Sequence, residues 1–178
     1  QGVSSAASDV YKRQALGILL ATNQYAFSGE CATGTAPSAG CTVGVDDTTY
    51  TMTGNITPAS GAEGIEFEVN SDGNTINLTG NITTTGSTAY GYYLSQSDSN
   101  TNTIIGNIRT DSAASYGIHF NMSQSNNLTL TGNISTEGAA ANGLFISGSD
   151  NNTFTINGNI STEGSSARGI YLLSLIHI

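Results

Sequence analysis

Apolar and polar residues alternate over short stretches of this chain, and the alternation continues through a glycine. Ile76, Leu78, Gly80 and Ile82 share one phase, and the residues between them are Thr or Asn. Alternation with a period of two predicts a strand that buries one face. A turn of small residues follows, and a second alternating run begins beyond it, as at Ile118. No stretch shows a period of 3.6 residues, so no helix is expected.

This pattern returns at a fixed interval. A Gly-Asn-Ile tripeptide, with an apolar residue two positions before its glycine, occurs with the glycine at positions 54, 80, 106, 132 and 158. A second glycine opens an apolar run in each unit, at positions 64, 91, 117, 143 and 169. The period is 26 residues, apart from one step of 27 between Gly64 and Gly91, and a repeat this strict indicates a solenoid architecture.

Three short strands in each unit of 26 residues predict an all-β solenoid of about five rungs. Each strand would pair in parallel with its copy in the next rung, about 4.8 Å away. Equivalent residues would then stack along the axis. Two columns of asparagine are predicted from this stacking, with amide hydrogen bonds along the axis: Asn55, Asn81, Asn107, Asn133 and Asn159, and Asn74, Asn100, Asn126 and Asn152.

Two other repeat folds fit the sequence less well. Ile76, Leu78 and Asn81 imitate part of a leucine-rich repeat, but Gly73 stands where a leucine is expected, and the convex-side helix is missing. The calcium-binding nonapeptide roll requires G-G-x-G-x-D, which does not occur.

The two ends of the chain can be encoded by one short DNA sequence, read on opposite strands. Residues 9–14, DVYKRQ, can be encoded by GATGTGTATAAGAGACAG, and the reverse complement of that sequence translates as LSLIHI, residues 173–178. The DNA sequence resembles the end of a transposase-based sequencing adapter. We therefore interpret residues 1–14 and 173–178 as adapter scars outside the native protein.

Charge excludes some partners. The chain has four basic and thirteen acidic residues and a formal net charge of −9. Lys12 and Arg13 lie in the presumed scar, which leaves Arg109 and Arg168 as the basic residues of the native stretch. Because phosphate binding requires clustered Lys and Arg, we expect no nucleic-acid partner.

The segments ahead of the repeats indicate export. Residues 15–28 contain the apolar run ALGILLAT and then small residues, which fits a truncated signal peptide, with a buried N-terminal element as the alternative. Residues 29–49 are interpreted as an N-terminal cap that holds Cys31 and Cys41. In an oxidising compartment this pair is expected to form a local disulfide. Metal binding by the two cysteines is a weaker alternative, because no nearby histidine completes a tetrahedral site.

Residues 50–172 resemble the passenger regions of bacterial autotransporters. The resemblance rests on the Gly-Asn-Ile-Ser-Thr-Glu-Gly units, the Gly-Ile-Tyr-Leu strand and the Ser-Asp-Asn-Asn-Thr turn. It implies a right-handed parallel β-helix that is exported through an outer-membrane barrel. It also implies a stalk at the cell surface or released from it.

We predict no catalytic residue, no cofactor and no metal site. His119 lies in the outward phase between Ile118 and Phe120, where we expect a solvated side chain. Two acidic columns are expected on turns, either solvated or holding calcium, and the solvated turn is favoured: Asp111, Glu137 and Glu163, and Asp72, Asp98 and Asp150 around Gln124.

The preferred function is a surface scaffold or adhesin-like stalk, and the alternative is a carbohydrate-active β-helix enzyme of the pectin-lyase type. The ligand is unassigned, with a glycan or another cell as candidates. The passenger is not expected to be membrane-embedded, and the fragment is expected to self-associate end to end. Ice binding is a remote alternative, since it requires a flat Thr-x-Thr array and the only row considered is single and partly inward: Thr84, Thr110, Thr136 and Thr162.

Overall fold

The computed structural model describes residues 29–173, and these residues contain strands and no helix. The predicted signal peptide and the predicted scars, apart from Leu173, lie outside the described residues. The strands form three parallel sheets, which we call A, B and C. Sheet A contains β1 (Gly29–Glu30), β3 (Cys41–Val43), β5 (Ile65–Phe67), β8 (Tyr92–Ser95), β11 (Ile118–Asn121), β14 (Leu144–Ser147) and β17 (Ile170–Leu173).

The other two sheets hold the remaining strands. Sheet B contains β2 (Gly34–Thr35), β4 (Thr49–Thr53), β6 (Thr75–Thr79), β9 (Thr101–Ile105), β12 (Asn127–Thr131) and β15 (Thr153–Asn157). Sheet C contains β7 (Ile82–Thr84), β10 (Ile108–Thr110), β13 (Ile134–Thr136) and β16 (Ile160–Thr162).

The chain visits the three sheets in turn and returns one strand further along each of them. Ile108 in β10 pairs in parallel with Ile82 on one side and with Ile134 on the other. Both partners are 26 residues away, so equivalent positions stack in register. The β-solenoid predicted from the repeat is confirmed, with about five turns and three strands per full turn.

The core lies between the three sheets and consists of the inward phase of each strand. Leu130 in β12 and Ile134 in β13 are fully buried, whereas Thr131 between them is exposed. The predicted strand phase is therefore confirmed at these positions. In sheet B one inward position breaks the apolar pattern: Asn102 is 1% exposed, and both polar atoms of its amide lack a hydrogen-bond partner.

Glycine is required where one rung crosses the next. Gly106 has φ 151°, and a Cβ atom at this position would clash with the carbonyl oxygen of Gly80. Gly80 stands in the same relation to Gly54. The glycines of the Gly-Asn-Ile motif thus allow backbones of neighbouring rungs to approach closely.

The two asparagine columns bind the rungs together from opposite sides. On the outside, Asn107 N donates to Asn81 Oδ1 in the preceding rung at 2.8 Å. Inside, Asn100 N donates to Asn126 Oδ1 in the following rung, also at 2.8 Å. The predicted columns are confirmed, but their main bonds join a backbone amide to a side chain, whereas amide-to-amide bonds had been expected.

The segment interpreted as a cap lies at one end of the stack and contributes β1, β2 and β3 to sheets A and B. Cys31 and Cys41 form the predicted disulfide, and both are buried. At the other end Ile170 is 55% and Leu172 is 64% exposed. Exposed apolar side chains there are what end-to-end association requires, and that association stays a prediction.

Candidate functional site

Four ring side chains stand on the outward side of successive strands of sheet A, and we call them the aromatic column: Tyr93, His119, Phe145 and Tyr171. Neighbouring ring centroids are 5.0, 4.9 and 5.1 Å apart, with interplanar angles of 22°, 19° and 16°. These distances are close to the separation of neighbouring strands, about 4.8 Å. The ring faces therefore contact one another, and mainly the ring edges remain available to a ligand.

A second pair of rings closes one side of the aromatic column. Tyr90 and Tyr116 stack with centroids 5.2 Å apart and an interplanar angle of 5°. Tyr116 also meets His119 and Phe145 edge to face, at 5.2 and 4.8 Å. Further along, the guanidinium carbon of Arg168 lies 4.2 Å from the ring centroid of Tyr171, a cation–π contact.

The expectation of a solvated His119 is wrong. The side chain points outward as predicted, but it is only 8% exposed, because the rings of Tyr90, Tyr93, Tyr116 and Phe145 surround it. Neither ring nitrogen has a hydrogen-bond partner. Burial disfavours the charged imidazolium and lowers the pKa of His119 to about 4.

One glutamate, Glu66, lies beside the aromatic column on sheet A, and Glu63 and Glu68 flank its strand. Glu66 in β5 pairs in register with Tyr93. Burial, together with the charges of Glu63 and Glu68, raises the pKa of Glu66 to about 7. Acid catalysts share this property, but the one histidine of the described residues, His119, lies two strands away in sheet A.

The acidic column of Asp111, Glu137 and Glu163 is partly neutralised by Arg109, a contact that the sequence did not reveal. The Arg109 guanidinium lies 2.6 Å from Asp111 Oδ1 and 2.7 Å from Glu137 Oε1. Arg109 thus stands between two successive carboxylates where a cation would be expected to bind. Glu163 is exposed one rung further on.

The second acidic column has a structural role. Asp98 N donates to Asp72 Oδ1 at 2.7 Å, and Gln124 N donates to Asp98 Oδ1 at 2.6 Å. Each carboxylate therefore accepts a backbone N–H from the next rung, as the asparagines do. Asp150 is exposed at the far end of this column. Among residues 29–173, no three His, Cys, Asp or Glu side chains form a group able to hold a metal ion.

The outward sides of β4, β6, β9, β12 and β15 in sheet B carry fifteen uncharged residues, which we call the threonine face. They form three columns of five: Thr49, Thr75, Thr101, Asn127 and Thr153; Thr51, Asn77, Thr103, Thr129 and Thr155; and Thr53, Thr79, Ile105, Thr131 and Asn157. The threonine row named in the sequence-based prediction is a different one: Thr84, Thr110 and Thr136 are fully buried, and Thr162 is partly buried. The signal for the threonine face was the Thr-x-Thr spacing ahead of four of the five Gly-Asn-Ile motifs.

One family model matches this chain. It is described as periplasmic copper-binding protein (NosD), and it covers residues 5–176. The chain belongs to the NosD family. No curated protein and no solved structure matched the chain.

Membership of the NosD family agrees with the predicted export. The family is described as periplasmic, and the parallel β-solenoid fits a β-helical exported protein. In the part of this NosD-family chain that the structure describes, no helix is long and apolar enough to cross a membrane.

Proposed function

We propose that this NosD-family chain is a non-catalytic scaffold or adhesin-like stalk, presented by the cell as an autotransporter-type passenger. The observation that carries the proposal is that successive rungs repeat one another where an active site would require one rung to differ. Ser135 and Thr136 pair in register with Ser161 and Thr162, and the next residues, Glu137 and Glu163, are also alike. An active site instead brings an acid, a base and a charge stabiliser together at one point.

The contacts of the acidic residues support this proposal. Asp72 and Asp98 accept backbone hydrogen bonds between rungs, and Asp111 and Glu137 face Arg109. These contacts give four acidic residues a structural use. Repetition of this kind suits a long surface that makes many weak contacts at once.

Copper binding, which the family description names, does not fit the residues described here. Copper sites in proteins use imidazole and sulfur ligands. His119 is enclosed by four rings, and the sulfurs of Cys31 and Cys41 are joined to each other. Met52 is 1% exposed, which leaves Met122, 46% exposed, as a single thioether ligand among residues 29–173. We therefore propose no copper-dependent function for residues 29–173.

Incubation of the purified chain with pectins, alginates and other acidic glycans tests the absence of catalysis. We expect no depolymerisation. Activity that disappears in Glu66→Gln, Asp111→Asn or Glu137→Gln would replace the scaffold with the enzyme alternative. Glu66 is included because its pKa, about 7, suits a proton donor at neutral pH.

Adhesion and presentation need separate measurements. The labelled chain is expected to bind cells or immobilised glycans more strongly when it is displayed in many copies than as a monomer, because multivalency adds avidity. The intact gene is expected to encode an outer-membrane barrel downstream of the repeats. A gene without such a barrel would contradict the autotransporter-type presentation and leave the scaffold role standing.

A further inference from the structure

The threonine face is a two-dimensional array of uncharged side chains, of which eleven are threonine, three are asparagine and one is isoleucine. Alternate residues along a strand are about 6.7 Å apart, and neighbouring strands are about 4.8 Å apart. Thr101, Thr103, Asn127 and Thr129 form one such cell, because β9 and β12 pair in register. Five strands with three outward residues each extend the array over roughly 19 Å by 13 Å between its outermost Cα atoms.

The hydroxyl groups of this face have no protein partner in the described part of the chain. The buried threonines of sheet C behave differently: Thr84 Oγ1 donates to Ala89 O at 2.8 Å, and Thr110 Oγ1 donates to Ser115 O at 2.6 Å. No such bond joins a hydroxyl of the threonine face to another residue among residues 29–173. These hydroxyls are therefore directed to solvent and are available to order water.

The side chains of the face are also stiff. Threonine is β-branched, so its side chain is restricted at χ1, and neighbouring strands limit it further. Each threonine presents one hydroxyl and one methyl group at a fixed position. A ligand that meets this face finds polar and apolar groups at regular intervals, already in place.

No residue of the face carries a charge, although the chain as a whole has a formal net charge of −9. Charged polysaccharides and phosphates therefore have no counter-charge on this surface. A single neutral glycan chain is one-dimensional and is usually held by the faces of aromatic rings. Here those faces are stacked on one another in the aromatic column.

From the register, neutrality and free hydroxyls of the threonine face, we propose that it binds the surface of ice. Ice is a neutral lattice of hydrogen-bond donors and acceptors that is periodic in two dimensions at each of its faces, with repeats of the same order as those of the array. Water held by the hydroxyls between the methyl groups joins that lattice. This function goes beyond the scaffold role, and it fits an exported protein, because ice grows outside cells.

The test measures thermal hysteresis and the shape of ice crystals in solutions of the purified chain. We expect hysteresis above that of albumin at the same concentration, and faceted crystals. Thr129→Tyr, which places a bulky ring in the middle of the face, is expected to lose most of the hysteresis. Ser135→Tyr is the matched control, because Ser135 points outward from sheet C, and it is expected to retain the wild-type value.

A second variant keeps the test decisive if Thr129→Tyr does not fold. Thr129→Val retains the shape and removes only the hydroxyl, and it is expected to reduce hysteresis while its circular dichroism stays that of the wild type. Wild-type hysteresis equal to that of albumin would overturn the proposal, as would equal losses in Thr129→Tyr and Ser135→Tyr. Retention on crystalline cellulose or chitin without any effect on ice would assign the face to a polysaccharide surface instead.

Discussion

Sheets A and B expose outward faces built on the same rung spacing, yet their side chains are used in opposite ways. On sheet A, the rings of the aromatic column stack on one another, because their spacing of 4.9–5.1 Å matches the strand separation. On sheet B, the threonine face has no rings to stack, and its hydroxyls point to solvent. In an in-register stack, the residue type at an outward position thus decides whether a column stabilises the fold or remains available to a ligand.

The largest expected effect concerns the assignment of inner and outer positions on which this comparison depends. Leu130→Asp places a carboxylate in the core and is expected to cost about 4 kcal/mol or more. Thr131→Asp, on the threonine face, is expected to change stability by about 0.5 kcal/mol. Chemical denaturation of both variants measures the difference, and equal losses would reject the assigned strand phase.

The enclosed His119 makes the aromatic column sensitive to acid. The pKa of His119 in the folded state, about 4, lies below the usual histidine value of 6.5, so the folded state favours the neutral ring. The contribution of His119 to the free energy of unfolding is therefore present above pH 6.5 and is lost as pH falls toward 4. The loss amounts to about 3 kcal/mol at most.

Thermal unfolding of wild type and His119→Phe between these pH values tests this. Both proteins carry Glu66, so comparing them removes its contribution. The raised pKa of Glu66, about 7, acts with the opposite sign: its contribution to stability is present at low pH and is lost as pH rises through 7. We expect the melting temperature of the wild type to fall more steeply on acidification than that of His119→Phe. Parallel curves would mean that His119 is open to solvent.

Removing one ring from the aromatic column is expected to have a smaller effect. Phe145→Ala loses contacts with Tyr116, His119 and Tyr171, at a cost of about 2 kcal/mol. Thr129→Ala, in the middle of the threonine face, is expected to stay within about 0.5 kcal/mol of wild type. If Thr129→Ala proved as costly as Phe145→Ala, the two faces would not differ in their contribution to stability.

The smallest expected effect lies on sheet C. Arg109 is about half exposed in both of its ion pairs, and exposed ion pairs contribute little. We expect Arg109→Gln to lower the melting temperature slightly at low salt and not at high salt. Calcium is not expected to raise the melting temperature of the wild type, because Arg109 already faces Asp111 and Glu137. Stabilisation by calcium, with Asp111→Asn as the variant that abolishes it, would establish a metal site.

The fold was predictable because each repeat unit of the sequence forms one rung of the structure. A period of 26 residues and alternation at Leu130 and Ile134 are sufficient to predict stacked strands with one buried face. The direction of the asparagine bonds was not predictable, since it depends on which rung each side chain turns toward. Arg109 was missed for a related reason, because its long side chain reaches a carboxylate 28 positions further along the chain.

The candidate surfaces were harder to predict. Alternation correctly places His119 on the outward side of its strand. The side chain is nevertheless buried, because the rings of Tyr90 and Tyr116, which lie ahead of the strands, pack against it. The threonine face was visible in the sequence as repeated Thr-x-Thr spacing. The row that contains Thr84 shows the same residue type at the same period, but the structure buries it.

The asparagine bonds between rungs have a consequence for how such a gene changes length. Bonded asparagines lie 26 positions apart, as in the pairs Asn81–Asn107 and Asn107–Asn133. In-frame loss of the codons for residues 107–132 would bring Asn133 directly after Gly106, and Asn133 would meet Asn81 as its new partner. Recombination between the near-identical units would therefore shorten or lengthen the protein by whole rungs, and each product would keep an asparagine bond across the junction.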